Sequence, residues 1–180
     1  MQIVHPPLSG LIQIEPRVFA DTRGFFLETF QSQRYADAGL PLMWVQDNVS
    51  RSHRGTIRGL HYQFAQPQGK LVFVIRGAIW DVAVDLRKSS PTFGQWYGVE
   101  LNDENHRQLY IPPGFAHGFC ALSEFADVLY KCTTGYAPGD ERTLLWNDPA
   151  LGISWPEIEP RLLSPKDEQG VFLSRADVYA

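Results

Sequence analysis

The chain has 180 residues, a formal net charge of −4 and 44% hydrophobic residues, which is typical of a soluble globular protein. This charge provides no overall basic field to attract nucleic acid, and no stretch approaches the roughly 18 consecutive apolar residues of a membrane span. The N-terminal MQIVHPPLSGLIQIE lacks the basic start and apolar run of a signal peptide, so we expect a cytoplasmic protein. Two cysteines, Cys120 and Cys132, are too few for a disulfide scaffold, and we expect both to be buried and reduced.

Short segments with alternating polarity, separated by glycine and proline, run along most of the chain. GLIQIEPRVF alternates before a turn at ADTRG, FFLETF follows, and a helix is expected around residues 31–39, ended by Gly39 and Pro41. KLVFVIRG and AIWDVAVDL are separated by Arg76-Gly77, which predicts a hairpin turn. WYGVEL, RQLYIP, GFAHGFCAL and ADVLYKCTTGY follow at strand-like spacing. Eight or more short strands divided by turns predict an all-β sandwich or barrel.

The C-terminal segment DPALGISWPEIEPRLLSPKDEQG is rich in proline and has Trp155 and Leu162–Leu163 as apolar anchors. We interpret it as an ordered wrap over the barrel that can carry a residue back to the site, with a short helical turn near residues 165–169. Residues 1–180 are therefore expected to form a single domain with an N-terminal strand segment and this C-terminal wrap.

Two stretches, GLHYQ and PPGFAH, resemble the paired motifs of the cupin superfamily, in which four side chains usually hold a metal inside a double-stranded β-barrel. Only His61 and His117 remain of that ligand set. Gln63 stands in place of the second histidine, and Lys70 takes the place of the acid. A protonated lysine has no lone pair to donate and repels a divalent cation, so the sequence predicts no metal site. His61, Gln63 and Lys70 would converge if their two strands paired through the FAQPQG loop.

Several polar residues of the predicted strands have two interpretations. Alternation places Asp81 and Asp85 on one strand face, which is either solvated or carries an aspartate that orients a histidine inside the barrel. His117 lies among small and apolar residues, so it is either a site residue or a structural histidine of the core whose hydrogen bonds are satisfied. Tyr130 alternates with Val128 and Cys132, so it is as consistent with core packing as with an acid.

A second set of candidates is cationic, aromatic and rich in amides. Arginines such as Arg23 and Arg58 bind phosphate oxygens in a bidentate manner, and aromatic residues such as Phe26 or Tyr136 stack on a base. Glutamate, glutamine and asparagine side chains can read the polar edges of that base. Because surface arginines are common, this set does not by itself identify a ligand.

Eight segments taken together resemble the dTDP-4-dehydrorhamnose 3,5-epimerases, the nucleotide-sugar epimerases of rhamnose biosynthesis. They are DTRGFFLETF, VQDNVSRS, TIRGLHYQ, QGKLV, DVAVDLRKSSPTFGQW, RQLYIPPGFAHGF, YKCTTGYAPGDE and LLSPKD, in order from about residue 10 to residue 170. The resemblance implies a metal-free cupin jelly roll without a cofactor, a dTDP-sugar ligand and a homodimer that exchanges its N-terminal strand. Phe73 and Val49 depart from the family pattern, which often has arginine and histidine there.

The resemblance also implies a role for individual residues. It makes His61 the base through RGLHYQ, Tyr130 the proton donor through YKCTT, and Asp167 of SPKD the partner of the histidine. Lys70 of QGKLV resembles the lysine at the substrate's keto oxygen, and Tyr136 falls where an aromatic ring stacks on thymine. The family's other substrate-contacting positions fall on Arg23, Glu28, Gln46, Asp47, Asn48, Arg58, His117, Glu141 and Lys166.

The expected reaction inverts carbons 3 and 5 of dTDP-4-keto-6-deoxy-D-glucose. Both carbons flank the ketone, so each inversion needs a base on one ring face and an acid on the other. A histidine, with a usual pKa of about 6.5, suits the first role, and a tyrosine, with about 10, suits the second. A lysine at the enolate oxygen would contribute roughly 3–4 kcal/mol by analogy with oxyanion holes.

Three alternatives stay open at this point. The chain could be an epimerase that acts at one carbon only or in another deoxysugar pathway, since the base, acid and lysine would be shared. It could be a non-catalytic cupin that binds sugar nucleotides, although such a protein has no use for a base opposite an acid. It could also be a metal-dependent cupin, which the replaced ligands disfavour.

Overall fold

Strands dominate the computed structural model, which describes residues 1–180. The thirteen strands are β1 (Gln2–Val4), β2 (Ile12–Glu15), β3 (Val18–Asp21), β4 (Gly24–Leu27), β5 (Gln46–His53), β6 (Ile57–Gln63), β7 (Lys70–Arg76), β8 (Ala78–Asp85), β9 (Trp96–Asn102), β10 (Gln108–Ile111), β11 (Phe115–Ala121), β12 (Phe125–Cys132) and β13 (Glu141–Thr143). Helices α1 (Ser32–Asp37) and α2 (Pro165–Glu168) lie where the sequence predicts them, and a 3₁₀ turn spans Leu173–Arg175. The all-β prediction is confirmed.

Two antiparallel sheets pack against each other. The six-stranded sheet has the order β1-β2-β10-β7-β12-β5, the five-stranded sheet has the order β13-β6-β11-β8-β9, and β3 pairs only with β4. From β5 to β8, and again from β10 to β13, the chain alternates between the two sheets, which is the path of a jelly roll. The inner faces meet in a core that includes Val72, Val74, Ile79, Leu101 and Leu109.

The predicted hairpin at Arg76-Gly77 is wrong, because β7 and β8 belong to different sheets. Gly77 has a φ of +79° and turns the chain from one sheet to the other. A side chain there would collide with the backbone of Phe125, so only glycine fits this crossing. β6 and β7 likewise do not pair through the FAQPQG loop, and His61 and Lys70 instead face each other across the space between the sheets.

The solvated-face interpretation of β8 is also wrong, because Asp81 and Asp85 are both completely buried. β8 lies inside the five-stranded sheet between β11 and β9, so neither edge is free. Its other face, which carries Val82 and Val84, is covered by Trp155 and further residues of the C-terminal segment.

The C-terminal segment packs on the five-stranded sheet. Isolated parallel bridges join Thr56 to Leu162 and Leu144 to Val171. The wrap brings α2 against β6, the strand that carries His61. Cys120 and Cys132 are buried and unpaired, and neither helix is long and apolar enough to cross a membrane.

Candidate active site

A cavity of about 330 Å³, called the central cavity below, opens between the two sheets. Ten of the residues singled out in the sequence line it: Gln46, Asn48, Arg58, His61, Lys70, His117, Tyr130, Tyr136, Glu141 and Lys166. Residues from strands of both sheets and from the C-terminal wrap therefore meet in one place.

His61 and Asp167 form an imidazole–carboxylate pair at the wall of the central cavity. The Nε2 atom of His61 on β6 lies 2.6 Å from Oδ1 of Asp167 on α2. Ser164, the N-cap of α2, donates its hydroxyl to Oδ2 of Asp167 at 2.8 Å. Burial opposes ionisation of this carboxyl group, but the hydrogen bonds with His61 and Ser164 outweigh it and lower the pKa of Asp167. Since Nε2 faces the carboxylate, Nδ1 is the nitrogen that remains for a ligand.

Lys70 and Tyr130 reach the central cavity from the opposite sheet, on the adjacent strands β7 and β12. Burial lowers the pKa of Lys70, and its ammonium group is not paired with any carboxylate. Burial raises the pKa of Tyr130, so its phenol stays protonated at neutral pH. The cavity therefore has an imidazole on one wall and a phenol and an unpaired ammonium on the other.

His117 makes a second imidazole–carboxylate pair at the central cavity. Its Nε2 lies 2.8 Å from Oδ2 of Asp81 on the neighbouring strand β8. An aspartate therefore contacts a histidine inside the barrel, as one of the two interpretations of β8 expected. Burial lowers the pKa of His117, against the opposing influence of Asp81.

Five residues at one end of the central cavity are joined by hydrogen bonds. Oε2 of Glu141 accepts from the hydroxyl of Tyr136 at 3.0 Å and from Nζ of Lys166 at 2.9 Å. The backbone amide of Tyr136 donates to the side chain of Gln46, which in turn donates to Asn48. The ring of Tyr136 is half exposed, so its faces are available for stacking.

Arg58 lines the same cavity and is anchored at its base. Its Nε donates to Oγ of Ser52 at 2.9 Å, and its Nη2 donates to the carbonyl oxygen of Arg51 at 3.1 Å. No carboxylate pairs with the guanidinium group, so its positive charge is free to attract an anionic ligand.

Four of the predicted substrate contacts do not line the central cavity of their own chain. Arg23 and Phe26 lie on the exposed β3–β4 hairpin, where Arg23 pairs with Asp21. Two further acids are engaged elsewhere in ion pairs, Glu28 with Arg34 and Asp47 with Lys131.

Three lining residues were missed by the sequence interpretation. Ser50 follows Gln46 and Asn48 at a spacing of two, and Phe119 follows His117 in the same way, so strand alternation would have found both. Gln68 lies in the loop before β7, where no periodicity applies.

The cupin metal-ligand pattern is not assembled by the side chains of this chain. Gln63 is buried, and its side chain points into the neighbouring loop. Its Nε2 donates hydrogen bonds to the carbonyl oxygens of Gln66 and Gly135, and its Oε1 accepts one from the backbone amide of Ala137. Nowhere do three or more His, Cys, Asp or Glu side chains cluster in a way that suits a metal ion. The two family departures, Phe73 and Val49, lie outside the lining of the central cavity.

Comparison with known proteins identifies the family of this chain. Residues 5–175 match the family model described as dTDP-4-dehydrorhamnose 3,5-epimerase. This chain belongs to the dTDP-4-dehydrorhamnose 3,5-epimerase family. A family member from Pseudomonas aeruginosa with that name is 53% identical over 180 residues, which cover 99% of both chains.

A solved member of the epimerase family confirms the fold class as a cupin-type jelly roll. The crystal structure of a dTDP-6-deoxy-D-glucose-3,5-epimerase from Legionella pneumophila, in complex with dTDP-4-keto-L-rhamnose, superimposes with a TM-score of 0.95. It is 51% identical, and the match covers 98% of this chain and 94% of that one. A relative from Streptomyces niveus, 43% identical over 94% of this chain and 82% of its own length, is named a 3-epimerase.

Proposed function

We propose that this chain inverts carbons 3 and 5 of dTDP-4-keto-6-deoxy-D-glucose to give dTDP-4-keto-L-rhamnose. The observation that carries the proposal is the arrangement of the central cavity, with His61 and Tyr130 on opposite walls and the unpaired ammonium of Lys70 beside them. Inversion at a carbon next to a ketone requires a base on one side, an acid on the other and a cation at the oxygen.

His61 acts as the base through Nδ1. Its Nε2–H donates to Asp167, which leaves a lone pair on Nδ1 and stabilises the imidazolium that forms when a proton is taken from the sugar. The positive charge gained by the ring is balanced by the carboxylate 2.6 Å away. The electron pair of the broken C–H bond moves to the keto oxygen as an enolate.

Tyr130 returns a proton to the opposite face of the ring, and Lys70 stabilises the enolate before it does so. The raised pKa of Tyr130 keeps the phenol protonated until the enolate forms. The ammonium group of Lys70 is half-buried between the two sheets, where its attraction to the oxyanion is stronger than in bulk water. No redox cofactor is required, because the substrate already carries the ketone.

The polar end of the central cavity suits the nucleotide. Tyr136 offers a ring face to thymine, while Gln46 and Asn48 offer amide groups to the polar edges of the base. Arg58 and Lys166 supply positive charge for the pyrophosphate. These contacts, together with the resemblance, are the basis for a dTDP-sugar rather than a free sugar.

The test is a product assay with dTDP-4-keto-6-deoxyglucose in deuterium oxide, followed by NMR. Deuterium at carbons 3 and 5, with both configurations inverted, is the expected result. Deuterium and inversion at carbon 3 alone would instead favour the single-carbon alternative, which is the activity that the name of the Streptomyces niveus relative states. Binding of the sugar nucleotide without any exchange would indicate a non-catalytic cupin.

We also propose that the functional unit is a homodimer in which the β3–β4 hairpin lies against the partner's central cavity. In its own chain the hairpin is almost uncovered, with residue Phe26 70% exposed and residue Phe25 62% exposed. Exposed apolar strands of this kind are normally covered by a partner. The arrangement would bring Arg23 to the pyrophosphate and Phe26 to the base of the neighbouring subunit.

Subunit mixing tests this composite site. An Arg23→Ala chain and a His61→Ala chain, each nearly inactive alone, should regain part of the activity when combined, because one site of the mixed dimer then carries neither substitution. A mixture of Tyr130→Phe and His61→Ala chains is the control, since each site there keeps one lesion. Heterodimers of the first pair that stay inactive would show that the hairpin does not cross between subunits.

A further inference from the structure

Asp81 is a buried carboxylate whose position is not explained by stability. Its side chain is completely buried, and only Oδ2 has a partner, the Nε2 of His117 at 2.8 Å. Oδ1 is buried as well and accepts no hydrogen bond from a protein group. A buried charge with an unsatisfied oxygen destabilises a fold. Its presence therefore indicates a role other than stability.

The partner of Asp81 belongs to the catalytic cavity. His117 on β11 stands directly opposite His61 on β6 in the strand register, and both rings line the central cavity. Because Nε2 of His117 is held by Asp81, Nδ1 is the ring nitrogen available to the cavity. The ammonium group of Lys70, which has no carboxylate partner, reaches the same cavity from the facing sheet.

We propose that Asp81 is a positioning residue of this site, which acts through His117 and on Lys70. It holds the His117 ring with its proton on Nε2, so that Nδ1 presents a lone pair to a hydrogen-bond donor in the cavity. Its negative charge also favours the ammonium form of Lys70, which reaches the cavity from the facing sheet. The inference rests on the proposed epimerase function and extends it to a residue that does not touch the cavity.

The charges around His117 and Lys70 show how removing the charge of Asp81 would change the pKa of Lys70. His117 faces Asp81 from β8, Lys70 from β7 and His61 from β6. Lys70 is influenced in turn by Cys132, Glu141, Asp81 and Lys166. Burial lowers the pKa of Lys70, and Asp81 opposes that decrease. Removing the Asp81 charge therefore moves deprotonation of Lys70 to a lower pH.

The experiment compares Asp81→Asn with Asp148→Asn in the full chain. Asp148 is also a buried carboxylate, but its partners are the backbone amides of Ala150 and Leu173, away from the central cavity. The asparagine at position 81 can donate to Nε2 of His117 and so favours the opposite tautomer. We expect Asp81→Asn to lower kcat with dTDP-4-keto-6-deoxyglucose by about 10- to 100-fold, by analogy with the loss of a carboxylate that orients a metal-bound histidine.

Two further readouts separate positioning from folding. The affinity for dTDP should stay within about twofold of wild type, and the alkaline limb of the kcat–pH profile should move to lower pH, because the mutation removes the charge that supports the Lys70 ammonium. The inference would be overturned by a decrease in kcat smaller than tenfold, by an alkaline limb that does not move, or by an equal decrease in kcat for Asp148→Asn.

A measurement on the wild-type protein decides the point even where a variant fails to fold. ¹⁵N NMR of the histidine side chains, with the His117 signals assigned from a His117→Gln variant, should show Nε2 protonated and Nδ1 unprotonated at neutral pH. The opposite tautomer, or a doubly protonated ring, would contradict the role given to Asp81. This NMR measurement does not depend on turnover. A wild-type protein without activity would therefore count against the proposed function, whereas the role of Asp81 would still be tested by the tautomer of His117.

Discussion

Replacing Asp167 with asparagine is the sharpest test of the His61–Asp167 pair. The substitution keeps the shape of the side chain but removes the charge 2.6 Å from Nε2 of His61, and its amide can donate to that nitrogen. His61 would then carry its proton on Nδ1 and lose its lone pair toward the sugar. A hydrogen bond to a charged group contributes about 1.5–3 kcal/mol, and since about 1.4 kcal/mol is tenfold in rate, we expect kcat to fall by about 10- to 150-fold.

The assay follows deuterium incorporation at carbons 3 and 5 by NMR, with dTDP affinity as a check on the site. Asp127→Asn is the matched control, because Asp127 also loses a short ion pair, with Arg51, outside the central cavity. A kcat for Asp167→Asn within threefold of wild type, or an equal loss in the control, would refute the assignment of Asp167 as the partner of the base.

The same substitution has a signature in stability. Burial opposes ionisation of Asp167, but its hydrogen bonds with His61 and Ser164 prevail, so its pKa is lowered from 3.8 on folding. The stabilisation is therefore complete above pH 3.8 and is lost as the pH falls through the lower folded value. The difference in the free energy of unfolding between wild type and Asp167→Asn, from urea titrations, should shrink as the pH falls below about 3.8. A difference that stays constant would contradict the lowered pKa.

The other predictions concern the base, the acid, the cation and metal independence. His61→Ala should lose more than nine-tenths of turnover with near-normal dTDP binding, whereas exposed His53→Ala should not, and a His61→Ala enzyme above a tenth of the wild-type rate would rule out the base role. Tyr130→Phe should retain washout of substrate deuterium better than inversion, and equal loss of both, or a similar effect of Tyr97→Phe, would argue against a proton donor. Because burial lowers the pKa of Lys70, kcat should fall at alkaline pH below the usual 10.5, and this limb should vanish in a weakly active Lys70→Met enzyme. Full activity is expected in excess EDTA, and loss that a divalent ion restores would overturn the metal-free proposal.

Local patterns in the sequence were sufficient for most of the strands, for the helices and for the resemblance, although β1, β5 and β13 were not predicted. Strand alternation depends only on the two-residue repeat of an extended chain, so it also separates Gln46, Asn48 and Ser50, which line the cavity, from Asp47, which does not. The short helices follow from neighbouring residues, such as the Ser164 cap and the proline after it. The motifs that identify the family are contiguous for the same reason.

Contacts between distant segments were decided only by the tertiary structure. Arg76-Gly77 is a good hairpin signal, yet the chain crosses there between sheets, because sheet membership depends on pairing with β10, β11 and β12 far along the chain. The alternation of β8 is compatible with a solvated face, and only the C-terminal wrap and the facing sheet bury both of its sides. Nothing local reveals which strands will cover a given face.

The candidate active site likewise depends partly on local sequence and partly on tertiary structure. The sequence by itself determined which residues are proposed to carry the chemistry, since His61, Lys70 and Tyr130 lie in recognisable motifs, and it placed Lys70 where a cupin would have an acidic ligand. The tertiary structure decided that His61 faces Lys70 and Tyr130 from the opposite sheet, and that a carboxylate 106 residues away, on a helix of the wrap, closes on the imidazole at 2.6 Å. The physical reason is that side-chain identity is local, whereas the distances that set charge and tautomer come from the packing of two sheets and a returning chain.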